Sequence, residues 1–247
     1  LRSIGYTFEA AVADVIDNSI DAKGKNVLVR IITKPDGYLD LAIWDDGHGM
    51  SAATLKEAMR FGADVASEIE RLGKFGLGLK LASLSQAREV NVVTAHRGAV
   101  SARGWLEHGI ARGFTSTIYD AQECRRLKAA VIPDRDLNTS GTVVWWSRLY
   151  RVGHRQADPA KHAQKLMRRL ETYLALSFHR FLSGRARKVT ITLDIFDQKS
   201  RKAGIPIVLD PLDPFAYERS GHIDFPASMF CEGEHRDKIV VTAHVWP

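Results

Sequence analysis

The order of apolar and polar positions predicts helices that alternate with groups of strands. Apolar residues recur at helical spacing over residues 6–21, whereas residues 26–33 and 38–44 are apolar runs separated by a Pro-Asp-Gly turn, which is typical of a β-hairpin. Further helices are predicted at residues 52–60, 76–85 and 159–182, and further strands at 88–95, 99–107, 112–119, 141–147, 189–196, 205–209, 222–225 and 238–245. This order favours an α+β fold, an α/β sandwich in which helices cover one face of a mixed sheet.

A break in the pattern follows Trp146, after which Asp158 and Pro159 form a typical helix start. We therefore expect two domains, at residues 1–150 and 151–247. The chain begins at Leu1 rather than at a methionine and stops inside a strand-like run, so we expect the second domain to be truncated.

Composition and charge indicate which classes of protein are excluded and where an anionic partner could bind. With 45% apolar and 26% charged residues, the 247-residue chain can bury real cores and is not disordered. Two cysteines and the lack of a membrane-spanning apolar run predict a cytoplasmic protein without disulfides or membrane contact. The net charge of +6 is concentrated between Arg148 and Lys188, where 11 basic and 2 acidic residues occur. This segment predicts contact with nucleic acid, or alternatively a solvated helix face.

Acidic residues share one face of the first predicted helix. Asp14, Asp17, Asn18 and Asp21 stand at positions i, i+3, i+4 and i+7. Three like charges on one stripe destabilise a helix, and a hard cation with oxygen ligands, such as Mg²⁺, would offset their repulsion. A solvated polar face is the alternative.

Glycines mark two further groups. Asp45 to Met50 directly follow a predicted strand, and Gly47 and Gly49 let the backbone turn sharply and approach a ligand closely. An Asp at a strand end can accept a hydrogen bond from an exocyclic amine. Residues 73–80 place three glycines before an apolar helix, whose backbone N–H groups could cradle a phosphate. Taken singly, each group is also compatible with an ordinary turn.

In this order and spacing, the three groups resemble GHKL ATPases with the Bergerat fold, which include gyrase B, heat-shock chaperones, histidine kinases, MutL and MORC proteins. Residues 14–22 resemble the N-box, residues 45–50 the Asp-x-Gly-x-Gly-Met box and residues 73–80 the glycine-rich lid box, with Gly141-Thr142 as the later Gly-Thr pair. The amino-acid sequences of these motifs are most similar to those of MORC-like and related prokaryotic proteins. After Trp146 the chain more loosely resembles the start of a transducer domain.

The resemblance implies a site for ATP and Mg²⁺. Asn18 would bind Mg²⁺. Asp45, helped by Thr142 and a water, would accept a hydrogen bond from the adenine amino group. Asp14 stands where many relatives have a general-base Glu, and its shorter side chain implies slow hydrolysis. The other implied contacts to the base or the phosphates are Ala22, Gly47, Gly49, Met50, Lys74, Phe75, Gly76, Leu77, Gly78, Leu79 and Lys80. Of these, Lys80 could instead be a solvent-exposed helix residue.

The resemblance also implies a conformational switch. ATP would close a lid at residues 61–74, two protomers would associate, and hydrolysis would reset them, in a nucleic-acid-associated or defence system. The alternatives are a histidine kinase, a chaperone-like protein and a nucleotide-binding scaffold without hydrolysis. A kinase normally carries its phosphoacceptor hairpin before the ATPase domain, whereas this N-box begins almost at Leu1.

Overall fold

A computed structural model describes residues 6–60, 77–106, 109–110, 115–137, 139–150, 152, 157–214, 229–232 and 238–241. The helices in these ranges are α1 (Phe8–Asp21), α2 (Ala52–Ala58), α3 (Leu77–Gln86), α4 (Ala121–Val131), α5 (Pro159–Ser177) and α6 (His179–Leu182). The strands are β1 (Asn26–Thr33), β2 (Leu39–Asp45), β3 (Ala87–His96), β4 (Ala99–Trp105), β5 (Thr117–Tyr119), β6 (Gly141–Leu149), β7 (Thr190–Asp197), β8 (Lys202–Ala203), β9 (Ile207–Val208), β10 (Met229–Glu232) and β11 (Lys238–Val241).

Helix α1 forms where the sequence supplies both a cap and an apolar stripe. The Thr7 hydroxyl accepts the backbone N–H of Ala10 at 3.2 Å, which satisfies a donor at the helix start. Val12 and Ile16 are fully buried and belong to the stripe that faces the core. The helix predicted from the apolar spacing is therefore confirmed, with its first residue at Phe8.

A nine-stranded mixed sheet lies at the centre of the described structure. Its strand order is β5-β4-β3-β6-β2-β1-β7-β8, and β9 also pairs with β7. Strands β1 and β2 pair antiparallel, as predicted for the hairpin, whereas β1 and β7 run parallel. Strands β10 and β11 form a separate antiparallel pair. The predicted α+β class with a mixed sheet is confirmed.

The two faces of this sheet carry different cores. Val29 and Ile31 of β1 belong to the core that α1, α3 and α5 cover. Leu28 and Ile32 point to the opposite face and share a second core with Val131 of α4. The expected covering of one face by helices is confirmed for α1, α3 and α5, and α4 adds a partial cover on the other face.

The segment after residue 150 extends the same sheet. Helix α5 packs on β1 and β7, with Leu166 and Leu170 in the first core. Strand β7 pairs with β1 along its whole length, from Thr190 opposite Asn26 onward. The division into domains at residues 1–150 and 151–247 stays a prediction, and residues 190–197 lie directly beside β1.

A buried ion network joins β1 to β7 and to the segment after α4. Arg30 is fully buried and donates to both carboxylate oxygens of Asp194, at 2.8 and 2.6 Å, and of Asp134, at 2.6 and 2.9 Å. Its guanidinium carbon also lies 5.0 Å from the centre of the Phe196 ring. A buried charge requires such partners, so this network fixes β7 and the segment after α4 against β1.

Several elements differ from the prediction. The sequence pattern did not predict α4, and the helix predicted at 159–182 is divided into α5 and α6 at Phe178. A strand is predicted at 112–119, and its described part forms β5. The strand predicted at 222–225 lies outside the described residues. In the described ranges, no helix is both long enough and apolar enough to cross a membrane.

Candidate functional site

The last residue of β2, Asp45, carries a buried carboxylate that is 5% exposed. Its Oδ2 accepts the Ser19 hydroxyl of α1 at 3.0 Å, and its Oδ1 accepts the backbone N–H of Gly47 at 2.9 Å. Burial raises the pKa of Asp45 to about 6, although these two hydrogen bonds oppose the shift. At neutral pH the site therefore presents an ionised carboxylate, which can accept further hydrogen bonds.

Two threonines continue a polar row from Asp45 across the sheet. Thr142 of β6 lies opposite Asp45, and Thr94 of β3 lies opposite Thr142, with the two hydroxyl oxygens 3.1 Å apart. Both threonines are buried. The Thr94 oxygen also accepts the N–H of Met50 at 2.9 Å and donates to the carbonyl of Gly141 at 3.0 Å. The structure thus brings together Asp45, Thr142 and Met50, which the sequence singled out, with Thr94, which it did not.

Two glycines of the predicted motifs have backbone conformations that favour glycine. Gly49 has φ +65°, and a Cβ there would lie 1.8 Å from the carbonyl oxygen of Ala95. Gly141 has φ +127°, and a Cβ there would lie 2.5 Å from the carbonyl oxygen of Asp45. The sequence analysis assigned Gly49 to close approach of a ligand. In the structure the close approach is to the backbone of β3, so glycine is required there by packing.

The turn after β2 is fastened to the segment that joins α1 to β1. Asp46 accepts the backbone N–H groups of Lys25 and Asn26 at 2.6 and 2.9 Å, and the Asn26 side-chain amide at 2.7 Å. Desolvation alone would raise the pKa of Asp46, but these hydrogen bonds lower it. The N–H of His48 donates to the carbonyl of Ala22 at 2.9 Å. Ala22, predicted to line the base, therefore lies against the turn.

The predicted catalytic and metal-binding side chains lie one turn apart on α1. Asn18 is exposed, and its amide nitrogen donates to the Asp14 carbonyl at 2.7 Å, so the side-chain oxygen is the atom that a cation could take up. The half-buried Asp14 accepts a hydrogen bond from the Tyr6 hydroxyl. Desolvation, this hydrogen bond and the charge of Asp14 raise the pKa of Tyr6 to about 12. Desolvation and the charges of Asp14 and Asp21 raise the pKa of Asp17.

The donor set on α1 fits a metal that needs few protein ligands. Among the described residues, no three His, Cys, Asp or Glu side chains converge as a metal site. Mg²⁺ keeps several waters and usually binds through one or two protein oxygens together with substrate phosphates. The Asn18 oxygen beside the acidic face of α1 is compatible with that limited role.

The glycine-rich segment is described from its helical part onward. Gly78 lies in the first turn of α3, and Leu79 is buried in the core. Lys80 is 7% exposed and its Nζ donates to the Arg60 carbonyl at 2.5 Å, so the alternative of a solvent-exposed lysine is wrong. Lys74, Phe75, Gly76 and the side chain of Leu77 lie outside the described residues.

Two arginines of the basic segment hold the two ends of α1. Arg169 of α5 forms an ion pair with Glu9 in the first turn of α1, at 2.6 Å. At the other end, Arg187 donates to the carbonyls of Ile20 at 2.6 Å and Gly24 at 3.0 Å. Helix α1 has no basic residue in its own last turn, and a cation at that end complements the helix dipole. Part of the positive charge predicted to meet nucleic acid therefore stabilises the fold.

The outer face of α5 keeps an exposed group of cations. Lys161, Lys165 and Arg168 are exposed and border a cleft of about 520 Å³ that His162 also lines. The side chains on the inner face are buried: Leu166, Leu170, Leu174 and Phe178. The charged outer face is solvated, as the alternative in the sequence analysis predicts, and contact of these cations with nucleic acid stays a prediction.

Sequence reasoning missed two hydroxyl groups of the site. Ser19 occurs at a position of the apolar stripe of α1, and Thr94 lies within a valine-rich strand. A hydroxyl residue at a fully buried position needs a polar partner, so its occurrence in an apolar pattern was the available signal. The partners, Asp45 and Thr142, are 26 and 48 residues away along the chain.

The chain is similar in sequence to known proteins. The family profile of histidine kinase-, DNA gyrase B-, and HSP90-like ATPases matches residues 6–132. The chain is 32% identical over 90 residues to Protein MICRORCHIDIA 6 of Arabidopsis thaliana, covering 35% of this chain and 14% of that protein. It is 29% identical over 94 residues to ATPase morc-1 of Caenorhabditis elegans, covering 38% of this chain and 11% of that protein.

Among solved structures, the chain is similar to the crystal structure of the N-terminal domain of a DNA repair protein. The TM-score is 0.47 and the sequence identity 16%, over 82% of this chain and 52% of that one. The chain spans about a seventh or less of the curated relatives. The family profile covers just over half of the chain, including α1, β2 and the polar residues at their junction. The chain therefore belongs to the family of histidine kinase-, DNA gyrase B- and HSP90-like ATPases.

Proposed function

We propose that this chain binds ATP with Mg²⁺ between α1 and the sheet, hydrolyses it slowly, and uses the nucleotide to switch conformation. The observation that carries the proposal is the buried Asp45 carboxylate at the end of β2, next to Thr142. An ionised group with a raised pKa in a buried position is typical of a binding or catalytic site.

Base recognition follows from the acceptor character of Asp45. An exocyclic amino group, as in adenine, donates to a carboxylate, whereas the carbonyl that guanine has at the same position would meet it as a second acceptor. A buried acceptor without a donor costs about 1–3 kcal/mol. The site should therefore prefer ATP to GTP by roughly tenfold or more.

Asn18 is the proposed ligand of Mg²⁺, which would neutralise phosphate charge and orient the γ-phosphate when bound. The neighbouring carboxylates Asp14, Asp17 and Asp21 give this face of α1 a negative charge that favours a cation. The glycine-rich segment at the start of α3 would donate backbone N–H groups to the phosphates, as helix starts commonly do.

Asp14 is the proposed general base. Its carboxylate would take a proton from a water whose oxygen bonds to the γ-phosphorus, while the bond from that phosphorus to the bridging oxygen of ADP breaks. The Tyr6 hydroxyl, which donates to Asp14, would hold the carboxylate in one orientation. The short side chain limits its reach to the water, which is the reason to expect slow turnover.

The conformational part of the proposal rests on the resemblance to MORC-like proteins. ATP would favour closure of the lid at residues 61–74 and association of two protomers, and hydrolysis would reverse both. A ligand can shift such an equilibrium only by its difference in affinity for the two states. The ATP-bound chain should therefore sediment as a dimer under conditions in which the nucleotide-free chain sediments as a monomer.

Calorimetric titration with ATP tests the binding site. Asn18→Ala should abolish the difference in ATP affinity between buffers with Mg²⁺ and with EDTA. Asp14→Asn should retain affinity and lose turnover, because the amide has the shape of the carboxylate but cannot accept the proton. Asp210→Asn changes an exposed carboxylate outside the site and is the matched control. No ATP binding by the wild-type chain would refute the proposal.

Nucleic-acid binding is a second candidate function, supported by the exposed cations of α5. Charge reversal of Lys165 and Arg168 to Glu should weaken DNA binding of any sequence and lower the salt slope by about one unit for each phosphate that the variant no longer neutralises. Reversal of Arg125 and Arg126, both exposed on α4 at the opposite face of the sheet, changes the net charge equally and is the control. Equal reductions in the two double variants would show that only net charge matters.

A further inference from the structure

We propose that Thr94, a residue of β3 outside the sequence motifs, is a positioning residue that sets the hydrogen-bonding character of the base pocket. The proposal rests on the function proposed above and assigns a source for its selectivity. Thr94 is fully buried and bonds to two parts of the pocket: the N–H of Met50 in the turn after β2, and the carbonyl of Gly141 with the hydroxyl of Thr142 at the start of β6.

The three contacts use the whole bonding capacity of the Thr94 hydroxyl. A hydroxyl has one hydrogen to donate and two lone pairs to accept. The N–H of Met50, at 2.9 Å, can only donate and so occupies one lone pair. The carbonyl of Gly141, at 3.0 Å, can only accept and so takes the hydrogen. The remaining lone pair faces Thr142, 3.1 Å away.

This assignment fixes the direction of the hydrogen bond between the two threonines. Because Thr94 has given its hydrogen to Gly141, the bond between the hydroxyls requires Thr142 to donate. Thr142 then presents only lone pairs to a ligand or water, next to Asp45, which is itself an acceptor. Two neighbouring acceptors match an amino group, which carries two hydrogens. A ligand with a carbonyl at that position finds no donor on either residue.

Thr94 also holds the geometry of the pocket. Its contacts hold in place Met50, which follows Gly49 with its positive φ, and Gly141, which precedes Thr142. In Thr94→Val the shape is nearly unchanged, but the Met50 N–H and the Gly141 carbonyl lose their hydrogen bonds to the Thr94 hydroxyl. The Thr142 hydroxyl can then rotate to donate toward the ligand. We expect ATP affinity to fall about tenfold and the preference for ATP over ITP, which has a carbonyl in place of the amino group, to fall by a similar factor.

The test compares Thr94→Val, Thr94→Ser and Thr33→Val with the wild-type chain. Thr33 is a buried threonine at the far end of β1, with its hydroxyl 3.5 Å from the Phe196 carbonyl, and controls for loss of a buried hydroxyl as such. Affinities for ATP and ITP are measured by calorimetry in all variants, and Thr33→Val should leave both affinities at their wild-type values. Thr94→Ser should restore both the affinity and the preference.

Amide exchange of Met50, followed by NMR without nucleotide, supplies a measurement that does not depend on ATP binding. Loss of the Thr94 hydroxyl should speed exchange of this amide by at least tenfold, whereas Thr33→Val should leave it unchanged. Failure of the wild-type chain to bind ATP would overturn the proposed function. The exchange of the Met50 amide would still test the Thr94 contacts, because it is measured without nucleotide. Unchanged Met50 exchange, or an unchanged ratio of ATP to ITP affinity in Thr94→Val, would overturn the assignment of Thr94.

Discussion

Replacing Asp45 with Asn should make the fold more stable while weakening nucleotide binding. The carboxyl is 5% exposed and its pKa is raised from 3.8 to about 6, chiefly by burial, so ionisation is unfavourable in the folded state. At roughly 1.36 kcal/mol per unit, a shift of this size corresponds to about 3 kcal/mol of lost stability at neutral pH. The same charge that would bind the amino group therefore opposes folding.

The sign of this effect depends on pH. Below about pH 3 the carboxyl is protonated in both states, and the wild type bears no penalty. Between about pH 4 and 6 the unfolded chain loses the proton first, so the folded state binds more protons and wild-type stability falls as pH rises. Above about pH 6 the penalty is fully present. The stability advantage of Asp45→Asn should therefore be below about 1 kcal/mol at pH 4 and reach about 3 kcal/mol at pH 8.

The neighbours of Asp45 can serve an amide equally well. The Asn oxygen can accept the N–H of Gly47, and its nitrogen can donate to the Ser19 hydroxyl, which is also 3.3 Å from the Val15 carbonyl and can donate there. No buried group loses its partner, so the gain from removing the charge should appear in full. ATP affinity should fall at least tenfold, because the amide nitrogen turns a donor toward the adenine amino group.

Urea unfolding at pH 4, 6 and 8, in nucleotide-free buffer, measures the effect, since bound ATP would stabilise the wild type by mass action. Asp46→Asn is the matched control, because hydrogen bonds lower the pKa of that carboxyl against the effect of desolvation, and its loss should destabilise the fold above about pH 4. An Asp45→Asn variant less stable than wild type at pH 8 would refute the reasoning, since the carboxylate would then stabilise the fold.

Three further substitutions test residues that hold the site's backbone, β1 and α1 in place. Gly49→Ala should cost about 1–3 kcal/mol from its positive φ alone and more from the clash with the Ala95 carbonyl, seen as a lower Tm and loss of ATP binding. Arg30→Ala leaves the buried Asp194 without its partner and should cost about 3–5 kcal/mol in urea unfolding, a larger loss than in a variant that lacks both residues. Arg187→Ala removes two hydrogen bonds at the end of α1 and should cost about 1–3 kcal/mol, with Arg187→Lys recovering part of the loss.

The elements with strong local patterns could be predicted from the sequence. Helix α1 has both a capping threonine and an apolar stripe, and the β1–β2 hairpin has two apolar runs around a turn. Helix α4 was missed because three of its apolar residues are alanines, and because only Cys124 and Val131 are buried. Its start did carry a local signal, since Asp120 and Glu123 form a capping box.

The parts of the site that depend on tertiary contacts could not be predicted. Motif spacing identified Asp45 and Thr142, but Ser19 and Thr94 acquire their roles only when distant strands and α1 meet. Arg30 had the appearance of a solvent-facing residue in a strand, and only the approach of Asp134 and Asp194 makes its burial tolerable. Periodicity describes which face a side chain takes, and it contains no information about which strand lies beside it.

The parallel pairing of β1 with β7 has a consequence for any fragment of this chain. A fragment ending at residue 150, or at residue 132 where the family profile ends, would lack β7 and would turn β1 into an edge strand with unpaired backbone groups. Seven of the eight residues of β1 are buried in the intact sheet. In the fragment, the charged Arg30 side chain would lack its partner Asp194. Long apolar edges recruit strands from other molecules. Such a fragment should aggregate or require refolding, whereas one ending after residue 214 retains the β7 edge with its short covering strands β8 and β9.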